Sequence, residues 1–347
     1  MKARVRELCN LATQIEQYNH LTSEEMIKCV RMQSHADNPQ PMVFKNVVSH
    51  WPVVDAASRS DNAFCEYLRR FDVNASVYAY TCEAKYGGRF FYDESHTQKN
   101  FSQIKTQLSD ILAQLQEPQS SAQPSIYMGS TTLGYCLPNF QQENSLPMLD
   151  ASPLVSLWLG NRSEVAAHYD IPQNIACVVA GTRRFTLFEP SLIDALYPGP
   201  IDFTPAGQIV SMVDFNAPDK VQFPKFEKAL ERSFFAELEP GDAIYIPSMW
   251  WHHVRSTSSI NALINYWWRE TPSYLGLPTD ALTHAILSIG NLPDAQKRAW
   301  KSIFDHYVFT DNSHSHIKPE ALGALGEVDE ALTRKIRWQL LQQLNGN

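Results

Sequence analysis

Apolar residues recur with two different periods along this chain, and the change of period divides it into three stretches. Residues 2–33 space their apolar positions as helices do, with Thr22 or Ser23 placed to cap the second of them. PMVFKNVV, residues 41–48, reads as a strand entered from a proline. Residues 60–70 and 101–116 read as amphipathic helices flanking short strands near 75–80 and 88–92. A polar loop, QEPQSSAQPS, covers 116–125 and is too short for a domain linker.

From about 125 to 270 helical spacing nearly disappears. Short β-rich runs recur between turn signals: SIYMG, LVSLWLG, NIACVVAG, RRFTLFEP, FFAELEPGD, AIYIP and INALINYWW. Such a series predicts an antiparallel sandwich or barrel, not a parallel sheet with alternating helices. The stretch 190–230 carries Pro190, Pro198, Pro200, Pro205, Pro218 and Pro224, and reads as a long ordered insertion between strands. After Pro272 the helical period returns in ALTHAILSIG, AQKRAWKSIFDHYVF and ALTRKIRWQLLQQL, three helices able to cap a sheet or build a dimer interface. The expected division is an N-terminal α/β region over 1–124, a β-core over 125–271 and a helical region over 272–347.

Composition narrows the function classes. The chain has 347 residues, 44% hydrophobic and 19% charged, which suits a globular protein with a sizeable core. Its 37 acidic residues against 29 basic give a formal charge of −8, which makes a phosphate-neutralising surface and a nucleic-acid partner unfavourable. Arg69–Arg70, Lys297–Arg298 and Arg334–Lys335–Arg337 read as solvated helix faces. Cys9, Cys29, Cys65, Cys82, Cys136 and Cys177 form no CxxC pair, as expected of free thiols in a reducing cytoplasm. Neither a signal-peptide run nor a membrane-spanning stretch is present in the sequence, so a cytoplasmic, non-membrane protein is expected.

The chemistry concentrates in EVAAHYDIPQN, residues 164–174. Residues two apart on a strand share a face, so His168 and Asp170 can converge on one ion while Tyr169 turns away. The best source of a third ligand is LEPGDAIYIPSMWWHHVRS, residues 238–256, where a turn and a buried strand lead to His252 and His253. Two histidines and a carboxylate on one face of a β-barrel form the facial triad of non-haem Fe(II) oxygenases, and the absence of thiolates argues against structural zinc. HxD alone is a weak signal. His35-Ala36-Asp37 is a second copy, followed by Asn-Pro, and reads as a solvated turn.

HYDIPQNIACVVAGTRRFTLFEP, followed by PGDAIYIPSMWWHHVRS and INYWW, resembles the JmjC-type, cupin-like oxygenases. The likeness is to the bacterial cupin-like group related to the hypoxia-factor asparaginyl hydroxylase and the tRNA wybutosine hydroxylase. It runs over about 40–270 and includes PMVFKNVVSHWP and GRFFYDESHTQKNF. The resemblance implies a double-stranded β-helix (jelly-roll) core, mainly β with helical additions. It also implies an Fe(II), 2-oxoglutarate and O2-dependent hydroxylase or demethylase acting on a protein side chain or small molecule. The implied metal ligands and catalytic residues are His168, Asp170 and His252, with His253 facing the opposite side. Arg183 falls where the two eukaryotic relatives carry the lysine that meets the far carboxylate of 2-oxoglutarate; arginine can hold that group bidentately. Tyr127, Asn174, Asn265 and Trp267 match further cosubstrate positions, whereas Val165 replaces a hydroxyl residue of the asparaginyl hydroxylase. A homodimer through the C-terminal helices is implied as well. Two other classes stand beside this reading: a non-oxidative metal-binding cupin and a non-catalytic binding module.

Overall fold

The computed structural model describes residues 12–118, 120, 122–147, 152–311 and 314–346. It divides into two compact units, Met1–Arg269 and Glu270–Asn347. The first unit is built on β1 (Thr13–Gln14), β2 (Gln17–Tyr18), β3 (Met42–Phe44), β4 (Ser76–Cys82), β5 (Arg89–Phe90), β6 (Phe101–Gln107), β7 (Ser125–Thr132) and β8 (Leu154–Gly160). It continues with β9 (Ser163–Tyr169), β10 (Gln173–Ala180), β11 (Arg183–Phe188), β12 (Phe234–Leu238), β13 (Ala243–Ile246), β14 (Trp251–Ser256) and β15 (Asn261–Trp268). One sheet has the order β1-β12-β11-β14-β9-β5 and the other β2-β3-β13-β10-β15-β8-β7-β4-β6. The fold is therefore mainly β with helical additions, as the strand-rich middle of the sequence predicts.

Side-chain alternation places the three larger cores. Ala176, Val178 and Leu263 of the larger sheet meet Phe185, Leu187 and Leu238 of the smaller one, closing the sandwich interior. The opposite face of the larger sheet, through Ile175, Cys177 and Ile264, packs on helices that contribute Met26, Phe64, Leu68 and Ile111. Covered on both faces, β10 is buried at all eight positions, which is why NIACVVA is a continuous apolar run and not an alternating one. The insertion expected at 190–230 does join β11 to β12. Its Leu192, Leu196, Val213 and Phe226 cover Ala167, Tyr169, Phe188 and Trp251 on the outer face of the smaller sheet.

Two expectations need correction. Residues 101–116 are not one helix: 101–107 form edge strand β6, paired along its length with β4, and the helix is Leu108–Gln116. Apolar spacing through Phe101, Ile104 and Leu108 fits a helix, but the outer edge of β4 demands backbone partners, and a seven-residue ladder satisfies them. Among the described residues of 2–33 the helix is Ser23–Ser34, and Thr13–Gln14 and Gln17–Tyr18 add short parallel strands to β12 and β3. Residues 1–11, with Cys9, lie outside the described residues. Thr22 is the cap of that helix, in a reciprocal capping box with Glu25.

The second unit contains α-helices Pro278–Ile289, Asp294–Phe304 and Glu330–Asn345. No helix among the described residues is long and apolar enough to cross a membrane.

Candidate metal centre

Antiparallel pairing of β9 with β14 sets His168 directly opposite His252. Between this pair and the Val165–Val254 pair, β9 has one more residue than β14, a bulge at Ala166–Ala167. The bulge keeps both Val165 and His168 on the cavity face although they are three residues apart. Asp170 lies just beyond the strand end, where its carbonyl accepts from Met249 N (2.8 Å) in the turn before β14. Met249 adopts φ +68°, a left-handed conformation that reverses the chain into Trp250 and β14.

One ligand atom from each of His168, Asp170 and His252 lies within 4.8 Å of the others, the spacing a single small cation spans. The imidazoles are 4.3 Å apart between centroids, and His252 Nε2 is 3.5 Å from Asp170 Oδ2. Carbonyl oxygens only accept, so each Nδ1 donates: His168 to Ala166 O (2.9 Å) and His252 to Trp250 O (3.0 Å). These bonds fix ring orientation and turn both Nε2 atoms toward the carboxylate, as metal sites require. Burial, with the neighbouring His252, pushes His168 down to about 4, so it is a neutral donor near pH 7. Burial opposes ionisation of Asp170, but the His252 hydrogen bond and charge outweigh it and hold the carboxyl below its usual range.

The triad opens into a cavity of about 360 Å³ between the two sheets. Tyr127 on β7, Asn174 on β10, Arg183 on β11, and Asn265 and Trp267 on β15 all reach this cavity. Arg183 is only 4% exposed, donates to Trp158 O at 3.5 Å, interacts with the Tyr127 hydroxyl, and has no carboxylate beside it among the described residues. Burial accordingly lowers its affinity for a proton and raises that of the Tyr127 hydroxyl. Arg183 Nε, Asn174 Oδ1, Asn265 Nδ2 and Trp267 Nε1 are buried without hydrogen-bond partners. Orphaned polar atoms around one cavity, one of them cationic, fit a polar anionic occupant.

His253 lies on the other side of β14. Its ring stacks on Phe215 (4.5 Å, 19°), and Nε2 is 3.4 Å from Glu164 Oε1. Glu164 also accepts from Asn216 Nδ2 (2.6 Å), which joins β9 to the insertion. Sequence reading missed this role for Glu164, because its partners are distant in the chain. Burial alone would raise the Glu164 carboxyl from 4.5, but His253, Asn216 and Arg255 hold it at about 2. The stability this contributes is present above pH 4.5 and is lost as pH falls toward 2. Glu164→Gln is expected to destabilise the protein by about 2 kcal/mol at pH 7 and to flatten the acid limb. Denaturant unfolding at a series of pH values measures both effects, and parallel profiles for the two proteins would refute the assignment.

His35, of the other HxD, is exposed at the end of helix Ser23–Ser34, where Nδ1 is 2.9 Å from Arg31 O. It is not part of the cavity lining. Lys99, Phe101 and residues 204–207 do line the cavity; Lys99 and Phe101 fall within GRFFYDESHTQKNF but were not singled out as site residues, and residues 204–207 carried no distinguishing local pattern.

Residues 30–274 match the model of the cupin-like domain. The chain belongs to the cupin-like family. This cupin-like domain is 27% identical over 240 residues to Jumonji C domain-containing protein 5 of Drosophila melanogaster, covering 66% of this chain and 54% of the relative. It is 34% identical over 125 residues to lysine-specific demethylase JMJ31 of Arabidopsis thaliana, covering 35% of this chain and 22% of that protein. Against tRNA wybutosine-synthesizing protein 5 of Mus musculus identity is 32% over 123 residues, 35% of this chain and 33% of the relative. The cupin-like chain thus spans about half the length, or less, of these relatives.

Proposed function

We propose that this chain is an Fe(II)- and 2-oxoglutarate-dependent oxygenase that hydroxylates, or at an N-methyl group demethylates, a protein side chain or small molecule. The observation that carries the reading is Arg183: a buried guanidinium with no anionic partner among the described residues, sharing one cavity with a His-Asp-His triad. Demethylase and wybutosine-synthesizing relatives agree with oxygenase chemistry. His168, Asp170 and His252 would hold the iron, a mixed imidazole–carboxylate set suited to Fe(II). When bound, the metal and cosubstrate supply the O2-dependent oxidation of a C–H bond.

The chain's own residues bind and orient. Arg183 meets the far carboxylate of 2-oxoglutarate with the Tyr127 hydroxyl beside it, and the planar guanidinium can make two parallel bonds where a lysine makes one. Asn174, Asn265 and Trp267 offer the unpaired polar atoms described above to the cosubstrate. Trp158, edge-on to Trp267 at 5.8 Å and donating to Asn265 Oδ1 (2.8 Å), fixes two of these groups and excludes water. Purified protein supplied with Fe(II) and ascorbate is expected to convert 2-oxoglutarate to succinate even without substrate. Failure to form succinate, with or without candidate substrates, would sink the reading.

The same reading includes a homodimer. The second unit leaves Leu282, Ile286, Trp300, Ile303, Trp338 and Leu341 exposed on its helices, more apolar surface than an isolated helical unit usually shows to water. Light scattering after size exclusion is expected to give twice the 39.4 kDa chain mass, and a monomer mass would remove the dimer. The free cysteines among the described residues suit a cytoplasmic setting.

A further inference from the structure

We propose that the outer part of the cavity takes a substrate carrying a carboxylate and turns away a cationic side chain, with Lys99 as the group that receives the carboxylate. The proposal rests on the oxygenase reading, because it assigns the inner part to the metal and the dicarboxylate.

Charge in the cavity is one-sided. Asp170 is the one carboxylate in its lining among the described residues, and the triad uses it. Arg183 lies deep and Lys99 stands two residues before β6, both in the lining. Lys99 Nζ lies 5.6 Å from the ring centres of both Phe101 and Phe203, and no carboxylate pairs with it among the described residues. Phe203 is fixed in turn, since Tyr92 donates its hydroxyl to Phe203 O (2.6 Å) and packs on the Phe203 ring. The ammonium is therefore held at the cavity by two chain segments. With iron and a dicarboxylate inside, the two positive charges of the ion, Arg183 and Lys99 outweigh Asp170 and the dicarboxylate by one. A carboxylate guest neutralises that excess, and an ammonium guest adds to it.

The aromatic wall does not reverse this preference. Tyr80, Phe90 and Phe101 could in principle cradle a methylated ammonium by cation–π attraction. Phe101, however, meets Tyr80 and Phe90 edge-to-face at 5.5 Å each, and Lys99 already occupies the cation position over its ring. A polyphosphate guest is disfavoured by the solitary lysine and the formal charge of −8. The expectation separates this chain from its Arabidopsis thaliana relative, which is named as a lysine-specific demethylase.

The test uses the full chain loaded anaerobically with Fe(II) and 2-oxoglutarate, with quenching of tryptophan fluorescence as the binding readout, since Trp158 and Trp267 line the cavity. Two charge-opposed pairs of probes are compared: phenylacetate with benzyltrimethylammonium, and one short peptide carrying either a central aspartate or a central trimethyl-lysine. The carboxylate member of at least one pair is expected to bind at least about tenfold more tightly, about 1.4 kcal/mol. The pair that shows the preference tells whether the carboxylate comes from a small molecule or a protein side chain. Lys99→Gln is expected to abolish the preference and Lys99→Glu to invert it; Lys99 is exposed, so both variants should fold. Tighter binding of the cationic members, an unchanged order in Lys99→Glu, or no binding of either carboxylate probe would each overturn the proposal. Succinate formation by the wild type reports separately on the oxygenase reading: its absence both with and without the probes overturns that reading, whereas a silent Lys99 overturns only this one.

Discussion

Asp170→Asn is expected to yield a folded protein that no longer retains iron. The exchange keeps the shape of the side chain and leaves the Asp170 carbonyl free to accept from Met249 N, so the turn into β14 persists. What disappears is the negative charge against which His168 and His252 are arranged, with His252 Nε2 only 3.5 Å from Oδ2. A neutral amide oxygen is a much weaker donor to a divalent ion. Groups that merely support metal ligands are worth about 10–100-fold in affinity, so loss of a charged ligand should exceed about 100-fold. Iron content after anaerobic loading and desalting should fall from about one per chain to background, and succinate formation with it. His253→Ala is the control, because His253 faces Phe215 and Glu164 on the far side of β14. Iron retained in full by Asp170→Asn, or lost equally from His253→Ala, would show that the triad is not the binding site.

Arg183→Met should separate stability from cosubstrate binding in opposite directions. In the ligand-free protein the buried guanidinium lacks an anion, so an apolar side chain of similar length removes a desolvation cost. Unfolding of the metal-free variant is expected to need about 1–2 kcal/mol more than wild type. Binding responds the other way. Removing one partner of a buried, hydrogen-bonded charge pair costs about 2–5 kcal/mol, roughly 30- to 5,000-fold in affinity. The 2-oxoglutarate concentration giving half-maximal succinate formation should rise accordingly. The thermal stabilisation that 2-oxoglutarate is expected to give the iron-loaded wild type, about 2.7 kcal/mol at a hundred times its dissociation constant, should fall to about 0.9 kcal/mol or less. An unchanged cosubstrate requirement would show that Arg183 is not the dicarboxylate anchor, whereas metal-dependent activity without any succinate formation would favour a non-oxidative cupin.

Local chemistry made much of the core legible. The β-runs from SIYMG to INALINYWW became strands, and the proline-rich stretch after Phe188 became an insertion between β11 and β12. Alternation also predicted that His168 and Asp170 share a face, because a period of two needs no knowledge of the partner strand. Alternation could not choose between His252 and His253; only the register that sets His252 opposite His168 does so. Nor did it foresee that Val165 and His168 share the cavity face, because the intervening bulge depends on how β9 pairs with β14.

By itself, then, the sequence determined most element types where burial on one or two faces imposes a period, and it placed His168 and Asp170 on one face with His252 or His253 as the candidate third ligand. Tertiary structure decided everything that depends on what lies across a gap. It made 101–107 a strand because the free edge of β4 needed hydrogen bonds that no helix could provide. It buried Arg183 without an anion, placed Lys99 between Phe101 and Phe203, and joined Glu164 to His253 and Asn216. Each of those contacts links residues from separate segments of the chain. Periodicity records only which way a side chain points, and the charge or ring that it meets there is set by another part of the fold.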